Sequence, residues 1–236
     1  MENFLATATI EDIIQYYNII VNFVDSNAKQ QTERAYGGFI RETKGHLQEI
    51  ITERIIYLAW LRVGGRMQDI EVNSKKIKIP ICEDYIDKIQ DEEVKEFILK
   101  NREYYYYGLS VDKHVFIRHR FVMGIECKAY TENAMIKRIL VDFHLLKSRY
   151  PNISSYLFQL ESQLTGDYSA LNKVTYGSKP THSIMSYFNN VDLKIFTFLQ
   201  GERKVNEPIH KKFKPLTHER VEMAIELLST DLQKYV

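Results

Sequence analysis

The sequence predicts an α/β protein with an α+β tendency, in which a central mixed β-sheet is flanked by helices. Helical periodicity dominates the first 100 residues. The remainder reads as strand, strand, helix, strand, loop, strand and helix, an order typical of a mixed sheet behind a helical N-terminal portion. A chain of 236 residues suits one domain and is long enough to bury one sizeable core.

The composition limits the class of protein. The chain is 44% apolar and 27% charged, ordinary values for a globular protein, and its net charge of +1 gives no global signal for nucleic-acid binding. Basic residues can still be concentrated on one face. Two cysteines cannot form a disulfide framework or a zinc site. The N-terminus lacks a signal-peptide pattern, and no apolar run approaches the roughly 20 residues that cross a bilayer, so we expect a cytoplasmic protein without membrane association.

Two helical patterns open the chain. Apolar residues recur at helical spacing over residues 9–25, and Thr9 is a suitable N-cap. The longest helical pattern covers residues 39–63 and is stopped by Gly64-Gly65. The polar segment between them, 26–38, is a loop or a broken helix.

Three glutamates lie along one side of the second helix, away from its main apolar stripe: Glu42, Glu49 and Glu53. They form either a solvated, ion-paired face or a source of a third carboxylate for a metal site. Glu49 is the best candidate for that second role.

Shorter patterns follow, and turn residues separate them. In order, we expect an irregular or short-strand segment at 66–80 ending at Pro80, a charged helix at 83–102, a β-prone run at 104–107, two short strands or one long bent strand at 113–119 and 121–127, a helix at 131–149, a strand at 154–160, a loop region at 165–183, a strand at 191–200, a basic loop at 201–216 and a helix at 217–235 capped by Thr217.

A short acid-x-lysine triplet is the main chemical signal. Five such triplets occur, but only those beginning at Glu126 and Asp192 lie in predicted strands, where residues i and i+2 share a face. The Glu126-Cys127-Lys128 triplet also has an acid upstream, Asp112, across one predicted strand. A helix follows it directly.

This arrangement suits phosphodiester hydrolysis. Mg²⁺ takes one or two protein carboxylates and keeps several waters, so Asp112 and Glu126 could hold it together with the carbonyl of Cys127. Mn²⁺ could take its place. Lys128 could orient the water and stabilise charge at the phosphate. The alternative is that Asp112 ends a strand in a turn and Glu126 and Lys128 form a surface ion pair. His114 and His119 lack a third metal ligand at useful spacing, so we assign them a structural role.

The segment from Asp112 through Gly124-Ile125-Glu126-Cys127-Lys128-Ala129-Tyr130 resembles the PD-(D/E)xK nuclease superfamily, and specifically its type II restriction endonucleases. The resemblance covers roughly residues 40–165 and includes the pattern Lys44-Gly45…Glu49. It departs from the family in having Val111, not proline, before Asp112. The resemblance implies a restriction-endonuclease-like core, a homodimer clasping double-stranded DNA, Mg²⁺ and products with 5′-phosphates. It implies catalytic roles for Asp112, Glu126, Lys128 and Glu49.

Polar and basic residues that follow the predicted strand at 154–160 are candidate DNA contacts. Gln163 follows a predicted strand and could hydrogen-bond bases or phosphates, although a simple strand-end turn is the alternative. The loops at 177–183 and 201–214 are net basic and could track phosphates or enter a groove, or could merely be solvated. Their candidate residues are Lys179, His182, Arg203, Lys204, Lys211 and Lys212.

We therefore expect a Mg²⁺-dependent, site-specific endonuclease of a bacterial cytoplasm. We expect its single domain to comprise a helical N-terminal region (residues 1–103), a catalytic core (residues 104–165) and a C-terminal region that recognises DNA and completes the sheet (residues 166–236). The alternatives are a DNA repair or junction nuclease on the same core, and a non-catalytic DNA-binding or protein-interaction module.

Overall fold

A computed structural model describes residues 9–28, 34–164, 178–203 and 213–236, with the side chains at 25–28 and 34–41 outside this description. The helices are α1 Ile10–Ala28, α2 Arg34–Arg62, α3 Glu83–Asp87, α4 Glu92–Lys100, α5 Asn133–Arg149, α6 Lys179–Ser186 and α7 His218–Leu232. The strands are β1 Ile70–Asn73, β2 Ile77–Pro80, β3 Tyr106–Leu109, β4 Lys113–Ile117, β5 Arg120–Thr131, β6 Ser154–Ser162 and β7 Leu193–Thr197.

A five-stranded mixed sheet in the order β1-β4-β5-β6-β7 forms the centre of the protein. β4 is antiparallel to both β1 and β5, whereas β5, β6 and β7 are parallel to one another. α5 connects β5 to β6, as parallel neighbours require a crossover. β2 and β3 form a separate antiparallel pair. This architecture confirms the predicted α/β class with a mixed sheet between helices.

Helices cover both faces of the sheet. One apolar cluster joins α1, α2 and α7 to one face and includes Tyr17, Trp60 and Phe158. A second cluster places α5 against the opposite face and includes Phe143 and Leu157. Because side chains alternate along a strand, the neighbours Leu157 and Phe158 of β6 enter different clusters. The central strands are therefore buried on both sides.

A tight turn joins β4 to β5 and settles the question of one strand or two. Arg118 and His119 both have positive φ, 47° and 64°, as a two-residue hairpin turn requires. The pairing that follows sets Lys113 opposite Ile125. Asp112, directly before β4, is thereby brought beside Glu126.

The helix expected at 83–102 is wrong as a single element, because it is divided into α3 and α4. Asp91 starts the second helix, with its side chain accepting the N–H of Val94 at 3.1 Å. An aspartate favours such a cap over a helix interior, because its carboxylate competes for backbone N–H groups.

The loop expected at 165–183 is also wrong at its C-terminal end, since α6 begins at Lys179. Ser178 caps this helix by accepting the N–H of Thr181 at 3.2 Å, and Pro180 fits its first turn. Residues 165–177 lie outside the described residues.

The capping predictions at the two ends of the chain are confirmed. Thr9 accepts the N–H of Asp12 at 3.2 Å, and Asp12 accepts the N–H of Thr9 at 2.8 Å. Thr217 accepts the N–H of Arg220 at the start of α7. Within the described ranges, no helix is both long enough and apolar enough to cross a membrane.

Candidate active site

The structure brings Asp112, Glu126 and Lys128 together at one point. The ammonium nitrogen of Lys128 lies 2.6 Å from Oε1 of Glu126, 3.2 Å from Oδ2 of Asp112 and 3.0 Å from the carbonyl oxygen of Cys127. Three oxygens from two segments of the chain therefore converge on one cationic group.

The backbone fixes this geometry. Glu126 and Lys128 are two residues apart on β5 and share a face of the sheet. Asp112 is the residue directly before β4, and its Oδ2 accepts the backbone N–H of Cys127 at 2.7 Å. This bond ties the upstream acid to the strand that carries the other two side chains.

Burial sets the protonation of the pair on β5. Burial raises the pKa of the Glu126 carboxyl, the Asp112 charge raises it further, and Lys128 acts in the opposite direction. Burial would lower the pKa of the Lys128 ammonium, but Glu126 and Asp112 outweigh that effect and raise it above its usual value. Lys128 therefore carries a full positive charge at neutral pH.

Glu49 faces the same centre from helix α2. It lines a cleft of about 410 Å³ together with Asp112, Cys127 and Lys128. Burial raises the pKa of the Glu49 carboxyl, and the charge of Asp112 raises it further. The remaining lining residues are Glu42, Gly45, His46, Ala129, Tyr130 and Met135.

The donor set fits a hard divalent cation. The oxygens of Asp112, Glu126 and Cys127 already surround one positive charge, and carboxylate and carbonyl oxygens are the ligands that Mg²⁺ accepts. Among the described residues, no three or more histidine, cysteine or acidic side chains cluster as a metal-binding group. Mg²⁺ needs no such cluster, since one or two carboxylates suffice when waters complete its shell.

The thiol of Cys127 points away from this chemistry. Its Sγ lies 3.4 Å from the hydroxyl of Thr52, inside the core beneath α2. Burial raises the pKa of the thiol well above its usual value, so it remains neutral. Only the backbone of Cys127 faces the acids and the lysine.

Two further contacts support the site, and the sequence patterns did not predict them. His114 is fully buried, and its Nε2 accepts the N–H of Val111, next to Asp112, at 3.1 Å. Burial lowers the pKa of His114 to about 4, so the ring is neutral and keeps its accepting lone pair. Lys113 pairs with Glu53 at 2.7 Å, one turn beyond Glu49 on α2. In the sequence, the only indication of these contacts is that His114 and Lys113 lie close to Asp112 and that Glu53 lies close to Glu49.

The candidate DNA contacts lie at different places. Arg203 stacks over the ring of Tyr130, with its guanidinium carbon 4.1 Å from the ring centre, and so stands at the edge of the cleft. Gln163 follows β6, and its backbone N–H donates to the carbonyl of Thr131. Lys179 and His182 lie on α6. Lys204, Lys211 and Lys212 lie outside the described residues.

Comparison with known proteins identifies the family. No family model matches the chain. The chain is 53% identical over 231 residues to the type II restriction enzyme DdeI of Desulfomicrobium norvegicum, an alignment that covers 95% of this chain and 96% of that protein. The chain therefore belongs to the type II restriction endonucleases, the site-specific deoxyribonucleases.

Proposed function

We propose that the protein is a Mg²⁺-dependent restriction endonuclease of a bacterial cytoplasm that cuts double-stranded DNA as a homodimer and leaves 5′-phosphates. The convergence of the Asp112, Glu126 and Cys127 oxygens on the Lys128 ammonium carries this proposal. A half-buried lysine held between two carboxylates at a cleft, with perturbed pKa values, is an arrangement typical of a functional site and suits phosphate chemistry.

The residues divide the work by charge. Asp112, Glu126 and the carbonyl of Cys127 would hold Mg²⁺ (or Mn²⁺ in its place), which lowers the pKa of bound water and neutralises phosphate charge. Lys128 remains protonated, so it donates hydrogen bonds to the water or to the phosphate and stabilises charge that develops there. Glu49 contributes a third carboxylate from α2.

The bond that breaks determines the ends of the product. Water adds to the phosphorus, the bond from phosphorus to the 3′-oxygen breaks, and a proton passes to that oxygen. The products are then a 5′-phosphate and a 3′-hydroxyl, the outcome that the PD-(D/E)xK resemblance implies.

A homodimer explains how both strands are cut. The cleft is lined by Asp112 and Lys128, and Lys128 pairs with Glu126, so each copy offers one set of these three residues for one scissile phosphate. Two copies related by a two-fold axis would place a second set against the opposite strand of a duplex. Within each copy, we assign catalysis to the core at 104–165, support to the helical N-terminal region, and DNA recognition to the C-terminal region from residue 166 onward.

All the proposed DNA contacts except Gln163 lie in the C-terminal region. Arg203 is supported by its contact with Tyr130, which lines the cleft, and we propose it as a phosphate contact. The other proposed contacts are Gln163, Lys179, His182, Lys204, Lys211 and Lys212. Phosphate contacts of this kind fix the position of the duplex without reading its sequence.

Digestion of a sequenced plasmid with Mg²⁺, followed by mapping of the ends, tests the proposal. We expect a discrete set of fragments that carry 5′-phosphates, no cutting in EDTA, and recovery of cutting with Mn²⁺. Products with 3′-phosphates, or cutting that persists in EDTA, would contradict it. Equilibrium sedimentation of the protein with and without a DNA fragment tests the homodimer.

A further inference from the structure

Gly45 stands in the interior of helix α2, on the wall of the catalytic cleft. Glu42 and Glu49 line the same wall about one turn to either side of it, and Asp112 and Lys128 line the cleft with them. Glycine is a poorer helix former than every residue except proline, so a glycine inside a helix needs a reason.

Four other glycines, Gly64, Gly65, Gly124 and Gly201, have a reason within the fold. A Cβ on Gly65 would lie 2.0 Å from the ring of Trp60, and a Cβ on Gly124 would lie 2.9 Å from the ring of Phe143. Gly64 and Gly201 have positive φ, 85° and 79°, a conformation that favours glycine.

Gly45 has neither reason. It lies within a regular helix, and a Cβ built on it would meet no described atom within 4 Å. The space beside it opens into the cleft of about 410 Å³. The described residues therefore leave room for a side chain at the very point where the helix bears none.

We infer that Gly45 keeps the surface of α2 bare so that the sugar–phosphate backbone of the cleaved DNA strand can pass against the helix. This inference rests on the proposed function, because the scissile phosphate must enter the cleft to reach Lys128. The strand that carries this phosphate then passes between β5 and α2. Because glycine has no Cβ, it allows another backbone to approach a helix closely.

The neighbouring charges make this contact steric rather than ionic. Glu42 and Glu49 on the same wall are acidic and would repel a phosphate, so α2 offers the strand space and not attraction. A neutral methyl group should consequently be enough to disturb binding.

The substitution Gly45→Ala tests this with two opposite effects. Alanine improves helix formation and meets no described atom, so the melting temperature should rise by about 2–4 °C. The same methyl group should raise KM for plasmid cleavage by about 10-fold, with a smaller change in kcat, and should weaken Ca²⁺-supported binding of a DNA fragment that contains the mapped site. Gly45→Leu should show a larger loss of binding.

Thr230→Ala is the matched control. Thr230 is exposed on α7 and is not a lining residue of the cleft, and its replacement also improves helix propensity. This variant should cut plasmid as the wild type does.

Wild-type KM and wild-type DNA binding in Gly45→Ala would overturn the inference. A fall in its melting temperature would do so too, because it would show that the protein itself requires glycine there. If wild type and Thr230→Ala both fail to cut, the proposed function fails, and this inference fails with it.

Discussion

The carboxylate of Asp112 accepts the backbone N–H of Cys127 at 2.7 Å, so the acid before β4 is fastened to the residue between Glu126 and Lys128. This bond joins the backbone of β5 to the side chain of Asp112 and involves no other side chain of the candidate site. The position of Asp112 relative to Glu126 and Lys128 depends on this bond as well as on the register of the hairpin.

Replacing either Lys128 or Asp112 should abolish most of the cleavage. Lys128→Ala removes the donor to the phosphate, and Asp112→Asn removes a negative charge while its amide oxygen can still accept the N–H of Cys127. We expect plasmid cleavage by each variant to fall by about 10²–10³-fold, comparable to the loss of one oxyanion donor. Circular dichroism should show an unchanged fold. Specific cutting within a few-fold of the wild-type rate would contradict the assignment.

Removing the thiol of Cys127 should affect stability but not chemistry. The Sγ is buried against Thr52, whereas the N–H and the carbonyl face the site. Cys127→Ala should lower the free energy of unfolding by about 1 kcal/mol, through lost packing, and leave kcat unchanged. Urea denaturation and plasmid digestion measure the two effects. A large loss of kcat in a well-folded variant would assign the thiol a direct role.

His114 should matter through the hydrogen bond that its ring accepts. His114→Phe leaves the N–H of Val111 buried without its partner, a cost of about 1–3 kcal/mol in unfolding free energy. It should also displace Asp112 and lower cleavage by about 10-fold. His114→Gln places an acceptor near the position of Nε2 and should restore most of the cleavage. Equal losses in both variants would show that only packing is at stake.

A polar cluster that joins α7 to β6 and β7 should make the free energy of unfolding depend on pH. Asp231 accepts the hydroxyl of Tyr156 at 2.6 Å and pairs with Lys194 at 2.9 Å. Burial would raise the pKa of the Asp231 carboxyl, but these partners outweigh it and hold the pKa below its usual value. The stabilisation is therefore present above the unfolded pKa of about 3.9 and is lost as pH falls through the folded value.

Asp231→Asn should consequently be much less stable than the wild type at pH 7, and the difference should be smaller at about pH 2.5, because protonation of Asp231 in the folded protein removes the stabilisation. Urea denaturation at the two pH values measures the difference. Plasmid cleavage should be unaffected at pH 7, because none of these three residues lines the cleft. A stability difference that does not change with pH would show that the charge of Asp231 contributes nothing.

Local patterns made much of the fold predictable. The apolar repeats of α1 and α2 and the cap residues Thr9 and Thr217 are short-range signals, and each element formed where its signal lay. The arrangement of the site was predictable for a similar reason. Residues two apart in a strand share a face, which puts Glu126 and Lys128 together, and a single hairpin brings Asp112 to them.

Longer-range features were less accessible. The break at Asp91 depends on a capping bond that outweighs the helical periodicity around it. The approach of Glu49 depends on how α2 crosses the sheet, which no local pattern specifies. The accepting role of His114 depends on the neutral form of the ring, which burial favours, and its sequence neighbours do not reveal burial.

The ammonium of Lys128 serves as a built-in counter-ion for the carboxylates of Asp112 and Glu126. The neighbouring carboxylates of Asp112 and Glu126 would otherwise repel each other, yet here the positive charge of Lys128 lies between them and holds them together. The enzyme should accordingly withstand storage in chelator with its melting temperature intact. Its activity should return as soon as Mg²⁺ is added back, without any slow refolding.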